Sequence, residues 1–302
     1  ATAPDTARLL VRKGAPAGGG AARRALRRGA PTRLRVLAIN DFHGALEPRP
    51  DRAGVRRGGA GPLAAEIARA RAECRAPACV SVLLDGGDAF QGTPASNLAF
   101  GRPVVALFRA LDVAASALGN HEFDWGVDTL AARAREAPHA ILGANVRTVD
   151  GAPLPWLRDD TLLVRGGVRI GVVGVADPAT PRTTRALNVR GLRFDPMAPA
   201  IDARARALRA RGADVVLVVA HVGAFCDADR DVDPGAGAAA GDTARGGSGA
   251  AGAGTACTGD VVELARSLTE PVDAIVSGHT HSRVAAVVAG INQNATGEGK
   301  FY

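Results

Sequence analysis

Residues 34–44 read LRVLAINDFHG, an apolar run broken only by Arg35 and then a polar turn that carries Asp41 and His43. A short apolar run without alternation describes a strand covered on both faces, as in sheets sandwiched by helices. Four more runs share this character, at 80–84, 169–175, 214–220 and 273–276. Between them, apolar residues recur at helical spacing over 61–75, 104–111, 128–136, 199–211 and 260–268. The alternation predicts an α/β fold with helices layered on sheets. In such folds, ligands gather in the loops just past the C-terminal ends of the strands.

Four of these strands, and one short strand besides, run into polar clusters. The first ends in Asn40-Asp41-Phe42-His43-Gly44. Asp and His two apart on an extended segment face one side, where a carboxylate and an imidazole can share an ion. The second ends in Asp85-Gly86-Gly87-Asp88, where glycine lets the backbone approach a ligand closely. A short strand at 114–118 leads to Gly119-Asn120-His121-Glu122-Phe123-Asp124, the 214–220 run ends at His221, and the last leads to Ser277-Gly278-His279-Thr280-His281. Five of the six histidines are so placed, and only His139 stands outside.

Taken singly, each cluster has a plain structural reading: Asp-x-His is common, and Gly-Asn-His-Glu can be a turn with a capping Asn. Their conjunction carries the argument. Asp, His and Asn donors without Cys suit Zn, Mn, Fe, Co or Mg rather than a thiolate site. Seven candidates (Asp41, His43, Asp88, Asn120, His221, His279 and His281) exceed the needs of one ion. Two ions sharing a carboxylate fit better, and two-metal sites activate water for phosphoryl hydrolysis.

The blocks DFHG, GDAFQG, GNHEFDWG, AHVG and SGHTH resemble, in order and spacing, the signature blocks of the calcineurin-like metallophosphoesterases. The fuller forms NDFHGALEP and LGNHEFDWG resemble the 5′-nucleotidase branch, which includes UDP-sugar hydrolases and 2′,3′-cyclic nucleotide phosphodiesterases. The resemblance covers residues 33–290. It implies a four-layer α/β/β/α sandwich of two mixed sheets with two divalent ions (Zn, Mn, Mg, Co or Fe) at the strand ends. Asp41, His43 and His281 are expected on the first ion, Asp88 between the two, and Asn120, His221 and His279 on the second. His121 is expected to be no ligand. Oriented by Asp124, it faces the scissile phosphate, stabilises developing charge and protonates the leaving alkoxide, with Asn120 also touching a phosphate oxygen. The implied activity is 5′-nucleotidase-type hydrolysis of small phosphate esters, nucleotides foremost. The alternatives are a cyclic-nucleotide phosphodiesterase or UDP-sugar diphosphatase on the same site, a thiosulfohydrolase-like enzyme, or a truncated inactive product.

The chain has 302 residues, 47% hydrophobic and 22% charged, which suits a globular protein and excludes collagen, wholesale disorder and a small disulfide knot. No stretch approaches the roughly 20 consecutive apolar residues of a membrane-spanning helix. The net charge of +7 suggests a nucleic-acid partner, but its distribution does not: residues 1–35 hold nine basic groups against Asp5, and the rest is near neutral. Residues 1–32 read as a disordered basic leader, with a short helix at 21–28. Residues 33–302 read as the catalytic domain, with a flexible insertion at 227–256 that holds eight glycines within 235–254. A strand is expected at 284–288. The base-binding C-terminal domain of the family is expected to be absent. Cys226 and Cys257 bracket the insertion and are expected to pair; Cys74 and Cys79, across a turn with Pro77, can also close. The even count and the habit of the family favour a periplasmic or extracellular location, with a reducing cytoplasm as the alternative.

Overall fold

A computed structural model describes residues 5–11, 32–51, 53–226, 257–282 and 284. All five long strands predicted from sequence are present, as Thr32–Ile39, Cys79–Asp85, Val168–Val175, Val215–Ala220 and Ala274–Ser277. They divide between two sheets. In the first, Thr32–Ile39, Cys79–Asp85, Ala115–Ala117 and Ala140–Leu142 run parallel, and Asp5–Val11 adds antiparallel at the edge. In the second, Ala274–Ser277, Val215–Ala220 and Val168–Val175 run parallel, and Asp160–Arg165 closes one edge antiparallel.

Strand alternation sorts the apolar side chains into three cores. Leu34, Val36, Val80, Val82 and Leu84 meet Ile170, Val172, Leu217 and Val219 between the sheets. Leu37, Ile39 and Leu83, on the opposite face of the first sheet, pack with Ile67, Phe108 and Leu130 from helices Ala60–Ala72, Arg102–Ala110 and Val127–Glu136. Val173, Val216 and Val218 of the second sheet pack with Ile201, Leu208 and Leu264 from helices Met197–Ala210 and Asp260–Ser267. The result is the four-layer α/β/β/α sandwich. Close approach of the sheets needs a small residue, and a Cβ on Gly174 would overlap Leu142 of the facing sheet. Each fully buried Leu or Val contributes roughly 1.5–3 kcal/mol, and every residue of Val215–Ala220 is buried.

One expectation is corrected. Residues 5–11 are not disordered but pair with Thr32–Ile39 in register, Leu9 opposite Leu34. Without them that strand would present a row of unpaired backbone groups at the sheet edge. The expected helix at 21–28, the insertion and the expected strand beyond Val284 lie outside the described residues. Cys74 is joined to Cys79, and Cys226 to Cys257. The second bridge links the short paired strands Phe225–Cys226 and Cys257–Thr258. No helix among the described residues is long and apolar enough to cross a membrane.

Candidate active site

The parallel strands of both sheets deliver their C-terminal loops to one edge of the sandwich. Asp41, His43 and His281 bring their ligand atoms within 4.8 Å of one another there, and so do Asp88, His221 and His279. The carboxylate of Asp88 lies between the groups: its Oδ2 is 3.0 Å from His221 Nε2 and 3.8 Å from His43 Nε2. Asp41 Oδ1 is 3.3 Å from His281 Nε2 and 4.0 Å from His221 Nε2.

Local backbone geometry explains the convergence, and it is not the extended Asp-x-His arrangement expected from sequence. Asp41 (φ 49°), His43 (48°), Asp88 (54°), His279 (79°) and His281 (53°) all sit in the left-handed region. They are five of the seven non-glycine residues with positive φ among the described residues. Such conformations cost on the order of 1–3 kcal/mol each and persist where surrounding structure over-determines them. Backbone packing supplies that constraint. A Cβ on Gly87 would stand 2.7 Å from Gly119 N and 2.9 Å from His221 Nδ1, so the Asp88 loop can lie against its neighbours only with glycine there.

The donor set fits divalent cations. His43 Nδ1 donates to Gln91 O (2.9 Å) and His221 Nδ1 to Gly86 O (2.9 Å), since a carbonyl can only accept. In the neutral rings each Nε2 lone pair is then turned inward, the usual arrangement of a metal-ligating imidazole. There His43 Nε2 meets His281 Nε2 at 3.1 Å, and His221 Nε2 meets His279 Nδ1 at 3.3 Å. Ring nitrogens and carboxylates so crowded require a proton or a cation. Between the protein groups themselves, burial opposes charge on His221, but its hydrogen bond to Asp88 prevails and raises its pKa to about 9. Asn120 is buried; its Nδ2 donates to Thr183 O, and its Oδ1 has no hydrogen-bond partner. An orphaned buried carbonyl oxygen calls for an explanation, and a cation provides one.

His121 belongs to neither group, although its ring lies 5.4 Å from that of His43. Its Nδ1 donates to Asp124 Oδ2 at 2.7 Å, and its backbone N–H donates to Asp88 Oδ1 at 2.9 Å. Burial opposes protonation of the ring, yet the Asp124 hydrogen bond and the charges of Asp88 and Asp124 raise its pKa.

Sequence reasoning assigned no role to Glu122, which the structure places beneath the site, 3% exposed. Its carboxylate accepts four backbone N–H groups, from Asp88, Ala89, Phe90 and Gly119, at 2.7–3.3 Å. It therefore ties the Asp88 loop to the Asn120–His121 turn. Burial and the nearby Asp88 charge push its pKa up, against the pull of those N–H groups. Its acidic character was visible in GNHEFD; its partners were not.

Residues 34–283 match the family model described as calcineurin-like phosphoesterase. The chain belongs to that family. Among curated proteins, it is 29% identical over 234 residues to the trifunctional nucleotide phosphoesterase protein YfkN of Bacillus subtilis, covering 70% of this chain and 14% of that one. It is 34% identical over 162 residues to human 5′-nucleotidase, covering 49% and 27% of the two chains. The phosphoesterase chain thus spans about a third or less of the length of these curated relatives. Among solved structures, a 5′-nucleotidase precursor from Thermus thermophilus superposes with a TM-score of 0.63 at 26% identity, over 83% of this chain and 42% of that one. The fold is also shared with a sulfate thiohydrolase from the same organism, at a TM-score of 0.65 and 20% identity, over 85% of this chain and 50% of that one.

Proposed function

We propose that this phosphoesterase chain hydrolyses small phosphate monoesters, nucleotides foremost, with two divalent ions drawn from Zn, Mn, Mg, Co and Fe. The observation that carries this is the Asp88 carboxylate, set between two ligand groups and bonded to the backbone of His121. Asp41, His43 and His281 would hold one ion, and His221, His279 and Asn120 the other, with Asp88 within reach of both groups. Bound there, the ions would supply positive charge for the phosphoryl oxygens and lower the pKa of water toward neutrality.

The remaining work falls to side chains of the protein. Asp124 is acceptor-only when ionised, so His121 Nδ1 carries a proton toward it and Nε2 is left for substrate. In the protonated ring Nε2 also bears a proton, and it delivers this to the leaving oxygen as the P–O bond breaks. The carboxylate stabilises the cationic ring beforehand and fixes its plane. The two bridges favour an oxidising compartment, periplasmic or extracellular. Relatives named for nucleotide hydrolysis support the choice of substrate class.

Metal analysis of the purified chain, followed by AMP, UDP-glucose, the cyclic AMP isomers, thiosulfate esters and 4-nitrophenyl phosphate, tests the reading. About two ions per chain and fastest phosphate release from AMP are expected. One ion or none after reconstitution with Mn or Zn overturns the two-ion arrangement. Faster turnover of a cyclic or pyrophosphate substrate reassigns the activity within the same site.

A further inference from the structure

The dyad sits on a loop of the first sheet, but part of what holds it comes from the second. After the Val168–Val175 strand the chain forms two short helical turns, Thr180–Thr183 and Ala186–Val189. This segment reaches across to the 120–124 turn. Thr184 Oγ1 donates to Asp124 Oδ1 at 2.8 Å, while His121 Nδ1 donates to Oδ2 of the same carboxylate at 2.7 Å. Asn188 Nδ2 donates to the carbonyls of Phe123 and Asp124, both at 2.9 Å. Thr183 O accepts from Asn120 Nδ2 at 3.1 Å. One segment thus grips both ends of the turn that presents His121.

We propose that Thr184 is a positioning residue for proton delivery to the leaving group, acting only through Asp124. The proposal rests on the reading of His121 as proton donor. With one oxygen committed to Thr184 and the other to His121, the Asp124 carboxylate has a single plane, and the imidazole inherits it. Hydrogen bonds to an ionised acceptor are the stronger kind. In the transfer itself the His121 Nε2–H bond breaks as the O–H bond of the leaving alcohol forms. Asp124 stays ionised, and Thr184 keeps its proton. Without the hydroxyl the carboxylate can turn about its Cβ–Cγ bond and the ring loses its aim. Binding of metals and of the phosphate is untouched, because Thr184 bonds to none of the seven ligands proposed above.

The test compares T184V, T184S, D124N and the D124N/T184V double variant on AMP and on 4-nitrophenyl phosphate, with metal content and melting temperature measured for each. T184V is expected to lower kcat on AMP about 10-fold, with KM and metal content unchanged. On the nitrophenyl ester, whose leaving group needs little protonation, the change stays within about 2-fold. T184S restores activity on AMP, and T184V adds nothing once Asp124 is Asn, as expected for residues acting in series. Unchanged activity in T184V, equal losses on both substrates, loss of metal, or additive losses in the double variant each overturn the proposal. His121→Asn on the same two substrates reads the parent assignment separately. If its losses are equal, the proton-donor role itself fails; if they are unequal while T184V matches wild type, only the role of Thr184 fails.

Discussion

The two ligand groups use similar side chains but are built differently. Asp88 and His221 are buried, His221 completely, and His221 is locked by Gly86 O. In the other group the Asp41 side chain is also buried, but that of His43 is 22% exposed and that of His281 60%. Both groups take one histidine from the loop after Ala274–Ser277, but His279 is partly covered where it meets the buried Asp88 and His221, whereas His281 stands exposed at the rim. Each group has one imidazole fixed by a backbone carbonyl, His43 by Gln91 O and His221 by Gly86 O, so what separates them is burial: His221 is shielded from water and His281 is not. The difference teaches that one ion should be held tightly and the other exchange readily, even though Asp88 belongs to both.

The sharpest way to break that comparison is to remove the shared residue. Asp88→Ala should deprive both groups at once and lower activity by about 10³–10⁴, the equivalent of several kcal/mol of lost charge stabilisation. Metal analysis should show both ions depleted. If only one is lost, Asp88 does not span the groups, and their separate construction extends to the chemistry. His121→Asn comes next. It belongs to neither group, so metal content should stay at wild-type level while kcat on AMP falls about 10²–10⁴. A variant that loses metal would move His121 into the ligand set.

Smaller effects should separate the rim from the interior. His281→Ala should weaken one ion by at least about 10–100-fold, the range associated with loss of even an outer partner of a ligand. His221→Ala should deplete the other ion. In the unaltered protein, graded chelation followed by metal analysis should remove the ions in two phases. A single phase, or equal sensitivity of H281A and H221A to chelator, would show that burial does not govern retention.

The sequence exposed this site unevenly, for physical reasons. Strands covered on both faces write uninterrupted apolar runs, so the five long strands, and the polar clusters after four of them, were legible. Edge and short strands do not. Asp160–Arg165 is half-exposed with charged ends, Ala140–Leu142 has only three residues, and Asp5–Val11 gains its conformation from the strand it pairs with. Ligand types and their strand-end positions were readable, because Asp, His and Asn at those places are chemically specific. The left-handed turns at Asp41 and His43 were not, since nothing local demands φ near +50° in a non-glycine residue. Nor were the supports. Glu122 serves backbone groups more than 30 residues earlier, and Thr184 serves Asp124 from 60 residues later. Such pairings exist only once the two sheets have packed.

The smallest expected effect concerns His139, which lies outside both groups and away from the His121–Asp124 pair, and it keeps the metal comparison clean at low pH. Both ligand groups should release ions in acid as their imidazoles protonate, but acid also acts on the fold. His139 packs against Phe108 with Nε2 2.8 Å from Ser116 Oγ, and its Nδ1 is buried without a partner. Burial lowers its pKa from 6.5 to about 4. The unfolded chain, with the ordinary value, therefore binds a proton first as pH falls. Stability contributed by the neutral ring is complete above pH 6.5, declines from there to pH 4, and is gone below; linkage limits it to about 3 kcal/mol. His139→Gln keeps a polar partner for Ser116 but cannot titrate in this range. Denaturant midpoints taken from pH 7.5 to pH 4 in excess chelator should fall less steeply for H139Q than for the parent. Metal release, followed over the same range without chelator, should be identical in the two proteins. Parallel midpoint curves would mean that His139 becomes protonated without unfolding. A shift in metal release would mean that acid loosens the ligand groups through the fold rather than through their own imidazoles.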